Sequence, residues 1–191
     1  MFSGIIEHTS RIISIERWSF IVQNQFDEPL IIGQSIAHDG ACMTITDIYD
    51  DSYRFFAMQE SLSRTNFGNK KVGNTFNVER CIRADTRIDW HFVSGHIDTV
   101  GIIDAIQDNS DDSHLIKIWF DIKYRTLIIE KWSIALNGVS LTIVEAGDDY
   151  FTVSIIPHTW NITNIGELTI WSQVNIEFDM IGKYIQRIYS K

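Results

Sequence analysis

The stretch Ser35-Ile36-Ala37-His38-Asp39-Gly40-Ala41-Cys42-Met43-Thr44-Ile45-Thr46 returns 98 residues later as Ser133-Ile134-Ala135-Leu136-Asn137-Gly138-Val139-Ser140-Leu141-Thr142-Ile143-Val144. At the centre of each copy lies a hairpin signal, Asp39-Gly40 in one and Asn137-Gly138 in the other. Both dipeptides accept the positive φ angles that a two-residue reverse turn needs. After the first turn, Cys42, Thr44 and Thr46 share one face of a period-two strand; after the second, Ser140 and Thr142 share the matching face.

The match extends outward at the same offset. Asp50-Asp51 meets Asp148-Asp149, Thr65-Asn66 meets Thr163-Asn164, Gly68 meets Gly166, Asn77 meets Asn175 and Glu79 meets Glu177. Thirteen identities over residues 35–79, without a gap, far exceed what unrelated stretches share, so the chain is an internal duplication. A second match, at an offset of 91, aligns Ser3-Gly4 with Ser94-Gly95 and Glu7 with Asp98, which makes the second copy seven residues longer in its early part. The copies run from about 1 to 88 and from about 89 to 179. That period exceeds the roughly 20–50 residues of solenoid units and fits two tandem small domains. Asp50-Asp51-Ser52 and Gly147-Asp148-Asp149 read as further turns. Gly68 and Gly166, each behind a Thr-Asn pair, mark a short helical or looped corner. Short strands punctuated in this way predict an all-β fold in which each copy closes into a small barrel, because closure removes exposed strand edges.

Composition agrees. The chain has 191 residues, enough for one large domain or two of roughly 90 residues each. A hydrophobic fraction of 45%, a charged fraction of 21% and a mean hydropathy of −0.04 exclude a disordered chain. Ile and Val, 12% aromatics and only two prolines favour strands. A net charge of −9 and a pI near 5.0 argue against a nucleic-acid or anionic-membrane partner. Cys42 and Cys81 cannot make a disulfide framework, and no CxxC exists for zinc or redox work. The N-terminus lacks the basic and long apolar regions of a signal peptide, and no apolar run approaches the roughly 20 residues of a membrane span. These features predict a soluble protein of a reducing compartment.

The C-terminal segment changes period. Ile181, Tyr184, Ile185 and Ile188 fall at i, i+3, i+4 and i+7, one apolar stripe on a helix of about three turns. A helix so short is marginal in water, so it must pack on its own barrel or on partner subunits; the pattern leaves both open.

Chemistry is sought where the copies agree in polarity. Cys42 stands against Ser140, Ser61 against Thr159 and Glu60 against His158, while Thr44 and Thr142 are identical. A barrel core prefers Val or Ile, so small polar groups repeated at internal positions point to two related pockets with hydrogen-bonding groups for orientation. The alternative is that these hydroxyls satisfy nearby backbone. His91 and His96 are five apart, which on a strand sends them to opposite faces and disfavours a shared metal. His96, beside Gly95, is the stronger candidate for proton chemistry, since glycine admits close approach and imidazole titrates near neutrality. Cys42, an isolated thiol, reads as a small buried hydrophobe before it reads as a nucleophile.

Several blocks resemble the riboflavin synthase family of lumazine-binding proteins. They are residues 1–7 (MFSGIIE), the stretch Gly33 to Thr44, Glu60 to Gly68, Val78-Glu79-Arg80, His91 to Asp98, Asn137 to Thr142, and Ile155 to Thr159, in the family's order over nearly the whole chain. The resemblance implies two tandem six-stranded Greek-key barrels, 1–90 and 91–179, and a C-terminal helix, 180–191, that joins three subunits. It implies a transferase of riboflavin biosynthesis. Two molecules of 6,7-dimethyl-8-ribityllumazine dismutate by four-carbon transfer to riboflavin and 5-amino-6-ribitylamino-2,4(1H,3H)-pyrimidinedione, with no metal or redox cofactor. The site would form between the N-terminal barrel of one subunit and the C-terminal barrel of a neighbour. A cytoplasmic homotrimer is expected, with lumazine synthase a candidate partner.

Carried over by motif, the N-barrel pocket would use Gly4, Ile5, Ile6, Cys42, Met43, Thr44, Phe56, Ala57, Met58, Gln59, Glu60, Ser61, Gly95, His96 and Ile97. The C-barrel pocket would use Lys131, Ser140, Leu141, Thr142, Ile155, Ile156, Pro157, His158, Thr159 and Trp160. His96, Cys42, Ser140 and Thr142 would stand nearest the chemistry, His96 as proton shuttle and Ser140 as the group that delivers or mimics an addition to ring carbon 7. Two features depart from the family: Asn137 stands where Asp is usual, with Asp39 replacing Asn in the first hairpin, and Asp89-Trp90 replaces two glycines. The runner-up is a non-catalytic lumazine- or flavin-binding antenna protein, which tends to lose the second pocket; Ser140, Thr142 and Thr159 favour the enzyme. A flavin-sequestering barrel without any reaction is a third reading.

Overall fold

The structure is a computed structural model that describes residues 1–85, 87 and 91–189, so the Asp89-Trp90 departure lies outside the described residues. The first copy forms β1 (His8–Glu16), β2 (Ser19–Gln23), β3 (Ser35–His38), β4 (Ala41–Ile48), β5 (Ser52–Phe56), helix α1 (Gln59–Arg64) and β6 (Thr75–Arg80). The second forms β7 (Thr99–Asp108), β8 (His114–Trp119), β9 (Ser133–Leu136), β10 (Val139–Ala146), β11 (Tyr150–Ile155), helix α2 (Pro157–Ile162) and β12 (Gln173–Phe178), followed by α3 (Met180–Tyr189). Six antiparallel strands close in the ring order β1-β2-β5-β4-β3-β6, and the next six close in the same order. The expected pair of six-stranded barrels is therefore present.

The local causes repeat as well. Asp39 and Gly40 have φ of 43° and 82°, and Asn137 and Gly138 have 44° and 81°, so both hairpins turn through the left-handed region that these residue types accept. Bulges interrupt the ladder after Ile12 and Ile45 in one barrel and after Ile103 and Ile143 in the other, bending strands where a small barrel must curl. The corners behind Thr65 and Thr163 are 3-10 turns. Each threonine hydroxyl donates 2.7 Å to the carbonyl four residues back and accepts from the amide two residues ahead.

Alternation holds along β4, but the polar face is not internal. Ala41, Met43 and Ile45 are buried, whereas Cys42, Thr44 and Thr46 lie on the outer wall; Ser140 and Thr142 do likewise on β10. The expectation of polar groups inside the barrel is corrected here: the apolar residues claim the interior, so the conspicuous Ser, Thr and Cys face outward. The first barrel holds an aromatic cluster of Phe20, Phe55, Phe67 and Phe76 around His38, where the second barrel has Leu136. His38 Nε2 lies 2.8 Å from the Tyr53 hydroxyl, and burial lowers its pKa to about 3.

The barrels meet at a polar seam. Asn66 N donates to Asn175 Oδ1 and Asn164 N to Asn77 Oδ1, each at 2.7 Å, so each corner is tied to the other barrel. Asn77 Nδ2 donates to Asn137 O and Asn175 Nδ2 to Asp39 O, both at 2.9 Å. A Cβ on Gly40 would stand 2.8 Å from Gly138 N, and the reverse holds, so the hairpins pass with no room for a side chain. Asp39 is fully buried here, 2.5 Å from Lys70 Nζ and accepting from Asn77 N and Asn164 Nδ2. The exchanged Asp39 and Asn137 both serve this seam.

Candidate functional site

Two leading segments, upstream of β1 and β7, exchange barrels. Gly4 O accepts from Ser140 N at 2.9 Å, and Gly95 O accepts from Cys42 N at 2.8 Å. The Ile6 side chain is buried in the second barrel's core and Ile97 in the first's. Each segment is pinned by a buried carboxylate: Ser3 N, Ser3 Oγ and Gly4 N donate to Glu79, and Ser94 N, Ser94 Oγ, Gly95 N and His96 N donate to Glu177. Burial nonetheless pushes Glu79 up to about 7 and raises Glu177, with those donors pulling the other way. A Cβ on Gly95 would stand 2.6 Å from Cys42 Cβ, and one on Gly4 2.5 Å from Ser140 Cβ, which explains glycine at both crossings.

The crossing builds a cavity of about 450 Å³ on the first barrel, lined by Ala41 to Met43, Met58, Glu60, Ser61, Arg64, Thr65 and Gly95 to Asp98. Of the residues assigned to this pocket, Cys42, Met43, Met58, Glu60, Ser61, Gly95, His96 and Ile97 come together there. Gly4, Ile5 and Ile6 do not. The exchange carries Gly4 and Ile6 to the second barrel, and Ile5 lines a separate cavity of about 470 Å³ beside Arg80 and Cys81. In the run Phe56 to Glu60, Phe56 and Met58 are exposed and Ala57 is buried in the core, so period two withdraws alternate side chains. Gln59 and Thr44 are exposed near this wall without lining the cavity.

On the second barrel, a cavity of about 410 Å³ is lined by His91, Phe92, Lys131, Trp132, Ser133, Asp179, Met180 and Ile181. Lys131, assigned to the C-barrel pocket, lines this cavity. Ser140 adjoins it through His91, whose Nδ1 lies 2.7 Å from Ser140 Oγ. Leu141 is half-buried beside Ser140, Thr142 is exposed opposite Ser133, and Ile156, Pro157 and His158 are exposed beside half-buried Thr159. Ile155 is fully buried in the core, and half-buried Trp160 stacks on His114 at 3.7 Å; neither lines the second-barrel cavity. His91 and Asp179 line this cavity although neither is among the residues assigned to a pocket from the sequence. Burial lowers the His91 pKa, Asp179 opposes this, and the imidazole is thereby held neutral beside the serine hydroxyl. Burial raises the Cys42 thiol, against a hydrogen bond from Ser35, so Cys42 is a neutral thiol.

Among the described residues no cluster of three His, Cys, Asp or Glu could hold a metal ion, and no helix is long and apolar enough to cross a membrane.

Comparison with known proteins matches the lumazine binding domain twice, over residues 3–81 and 94–179. The riboflavin synthase of Actinobacillus pleuropneumoniae is 38% identical, covering 100% of this chain and 91% of that protein. The riboflavin synthase of Bacillus subtilis is 37% identical with the same coverage. Among solved structures, LumP complexed with riboflavin superposes with a TM-score of 0.86 at 25% identity, over 93% of this chain and 99% of that one. LumP complexed with 6,7-dimethyl-8-(1'-D-ribityl) lumazine gives a TM-score of 0.80 at the same identity and coverage.

Proposed function

The chain belongs to the riboflavin synthase family of enzymes, built on a doubled lumazine binding domain, and from that premise we propose that it converts two molecules of 6,7-dimethyl-8-ribityllumazine into riboflavin and 5-amino-6-ribitylamino-2,4(1H,3H)-pyrimidinedione by four-carbon transfer. The observation that carries this reading is the duplicated outer wall. Ser35, Cys42 and Thr44 on one barrel repeat as Ser133, Ser140 and Thr142 on the other, and each wall is crossed by the leading segment of the opposite copy. A reaction whose donor and acceptor are the same compound calls for two such walls.

The lumazine 7-methyl group is acidic because the ring delocalises the resulting carbanion. The protein must hold two rings face to face, orient their ribityl chains and move protons. Proximity and orientation can supply roughly 7–11 kcal/mol of the acceleration. His91, neutral and 2.7 Å from Ser140 Oγ, is placed to accept the hydroxyl proton as that oxygen adds to ring carbon 7. His96, exposed at the first cavity, serves as proton shuttle, and Cys42 and the threonines Thr44 and Thr142 as hydrogen-bonding wall. The chain divides at 1–90, 91–179 and 180–191. Ile181, Tyr184, Ile185 and Ile188 are all more than half exposed on α3, which supports a trimer joined through that helix. Two free thiols suit the cytoplasm, and lumazine synthase, as the source of substrate, is a candidate partner.

The test is incubation of purified protein with 6,7-dimethyl-8-ribityllumazine. One riboflavin should appear for every two lumazines consumed. Tight binding without turnover would instead identify an antenna protein.

A further inference from the structure

The duplication leaves one pairing unlike its counterpart. In the first copy, Glu7 ends the leading segment; its carboxylate accepts from Arg80 N at 2.6 Å and from the Arg80 guanidinium at 2.6 and 2.9 Å. Asp98 is the same residue of the second copy, and Phe178 is the counterpart of Arg80. Asp98 Oδ2 accepts from Phe178 N at 2.9 Å, so the backbone half of the motif is kept. The side chain at 178 cannot supply a cation. Lys183 of α3 does so instead, with Nζ 2.6 Å from the same oxygen.

The substitution of one cation for the other changes what the pocket depends on. Arg80 belongs to the first barrel's own strand β6, but Lys183 belongs to a helix outside both barrels. Asp98 lines the first-barrel cavity together with His96 and Ile97. The other ties on Asp98 run through its own backbone: its N donates to Ile176 O, and its carbonyl accepts from the Tyr124 hydroxyl. The carboxylate that ends the wall has no cation other than Lys183 among the described residues. We propose that Lys183 is a positioning residue for the first-barrel pocket, holding the His96-Ile97-Asp98 wall in place from α3. Glu7, the counterpart of Asp98, is held instead by Arg80 of β6. This rests on the lumazine-binding reading above and goes beyond it, since it ties the ligand affinity of the first barrel to one charged side chain of the C-terminal helix.

The experiment uses the full chain. Binding of 6,7-dimethyl-8-ribityllumazine is followed by fluorescence, and turnover is measured in parallel, for the wild type and for Lys183→Met, Lys183→Arg and Gln186→Ala. Lys183→Met should weaken one of the two binding classes about fivefold and raise KM correspondingly, with kcat changed far less. Lys183→Arg should restore both. Gln186→Ala removes a bond from the same helix to Thr126 and should leave binding unchanged, which separates the proposal from general loosening of α3. Wild-type affinity in Lys183→Met, or an equal loss in Gln186→Ala, overturns the proposal while leaving the function intact. A wild-type protein that neither binds nor converts the lumazine overturns the functional reading and this inference with it.

Discussion

At the scale of the residue, the hydroxyl on the second barrel is set apart by its partner. His91→Ala and Ser140→Ala should each reduce kcat by about 10²–10⁴-fold with unchanged circular dichroism. Near-normal turnover in either variant would remove that residue from the chemistry. Because burial lowers the His91 pKa, the acid limb of kcat/KM should fall below the ordinary imidazole value of 6.5; a limb above it would contradict a neutral buried base. The repeat alone picks out Ser140 and Thr142 as one outer face, and of the two Ser140 adjoins the second-barrel cavity through His91. His91 has no counterpart in the repeat, because it lies upstream of the Ser94-Gly95 match, and its burial is invisible in a string of letters. His38 gives a stability prediction. Its folded pKa, about 3, lies below the ordinary 6.5, so the unfolded chain holds an extra proton between those values and stability falls on acidification through that window. Glu79 acts in the opposite sense: folded at about 7 against an ordinary 4.5, it favours the folded state as pH falls through its own window. His38→Leu, which copies the second barrel's Leu136, removes the first contribution and leaves the second, so on acidification from about pH 6 to pH 4 its urea midpoint should shift toward greater stability relative to the wild type's. An unchanged slope would mean that His38 makes no such contribution.

At the scale of the element, the two hairpins were read correctly because Asp-Gly and Asn-Gly have few other uses, and the backbone angles follow from them. What lay beyond the sequence was that the hairpins touch each other. Gly40→Ala combines a φ of +82° with a contact 2.8 Å from Gly138 N, and should cost roughly 3 kcal/mol. Gly68→Ala meets nothing within 4 Å and should be nearly neutral in the same thermal melts. A tolerated Gly40→Ala would show that the barrels can separate at the seam. The C-terminal helix was also legible, but its orientation was not. It turns Lys183 and Gln186 toward its own chain and leaves the apolar stripe outside. Ile185→Asp should leave both barrels folded and shift the sedimenting species from trimer to monomer; an unchanged mass would exclude α3 as the joining element.

At the scale of the whole molecule, the doubled barrel could be read from thirteen identities and the turn residues between them. The exchange of leading segments could not, since Gly4 and Gly95 show only that glycine is repeated and not which barrel each approaches. That exchange moved Gly4 and Ile6 from the pocket predicted for them to the opposite barrel, while His96 and Ile97 stayed where the motif put them. It also makes the two walls interdependent, each roofed by a segment rooted in the other copy, so losing one barrel should disable both. The account stands on both walls accepting the same heterocycle. Equilibrium dialysis of the intact protein against 6,7-dimethyl-8-ribityllumazine, corrected for turnover, counts them directly: two molecules bound per chain at saturation is the predicted result, and a plateau at one would contradict it.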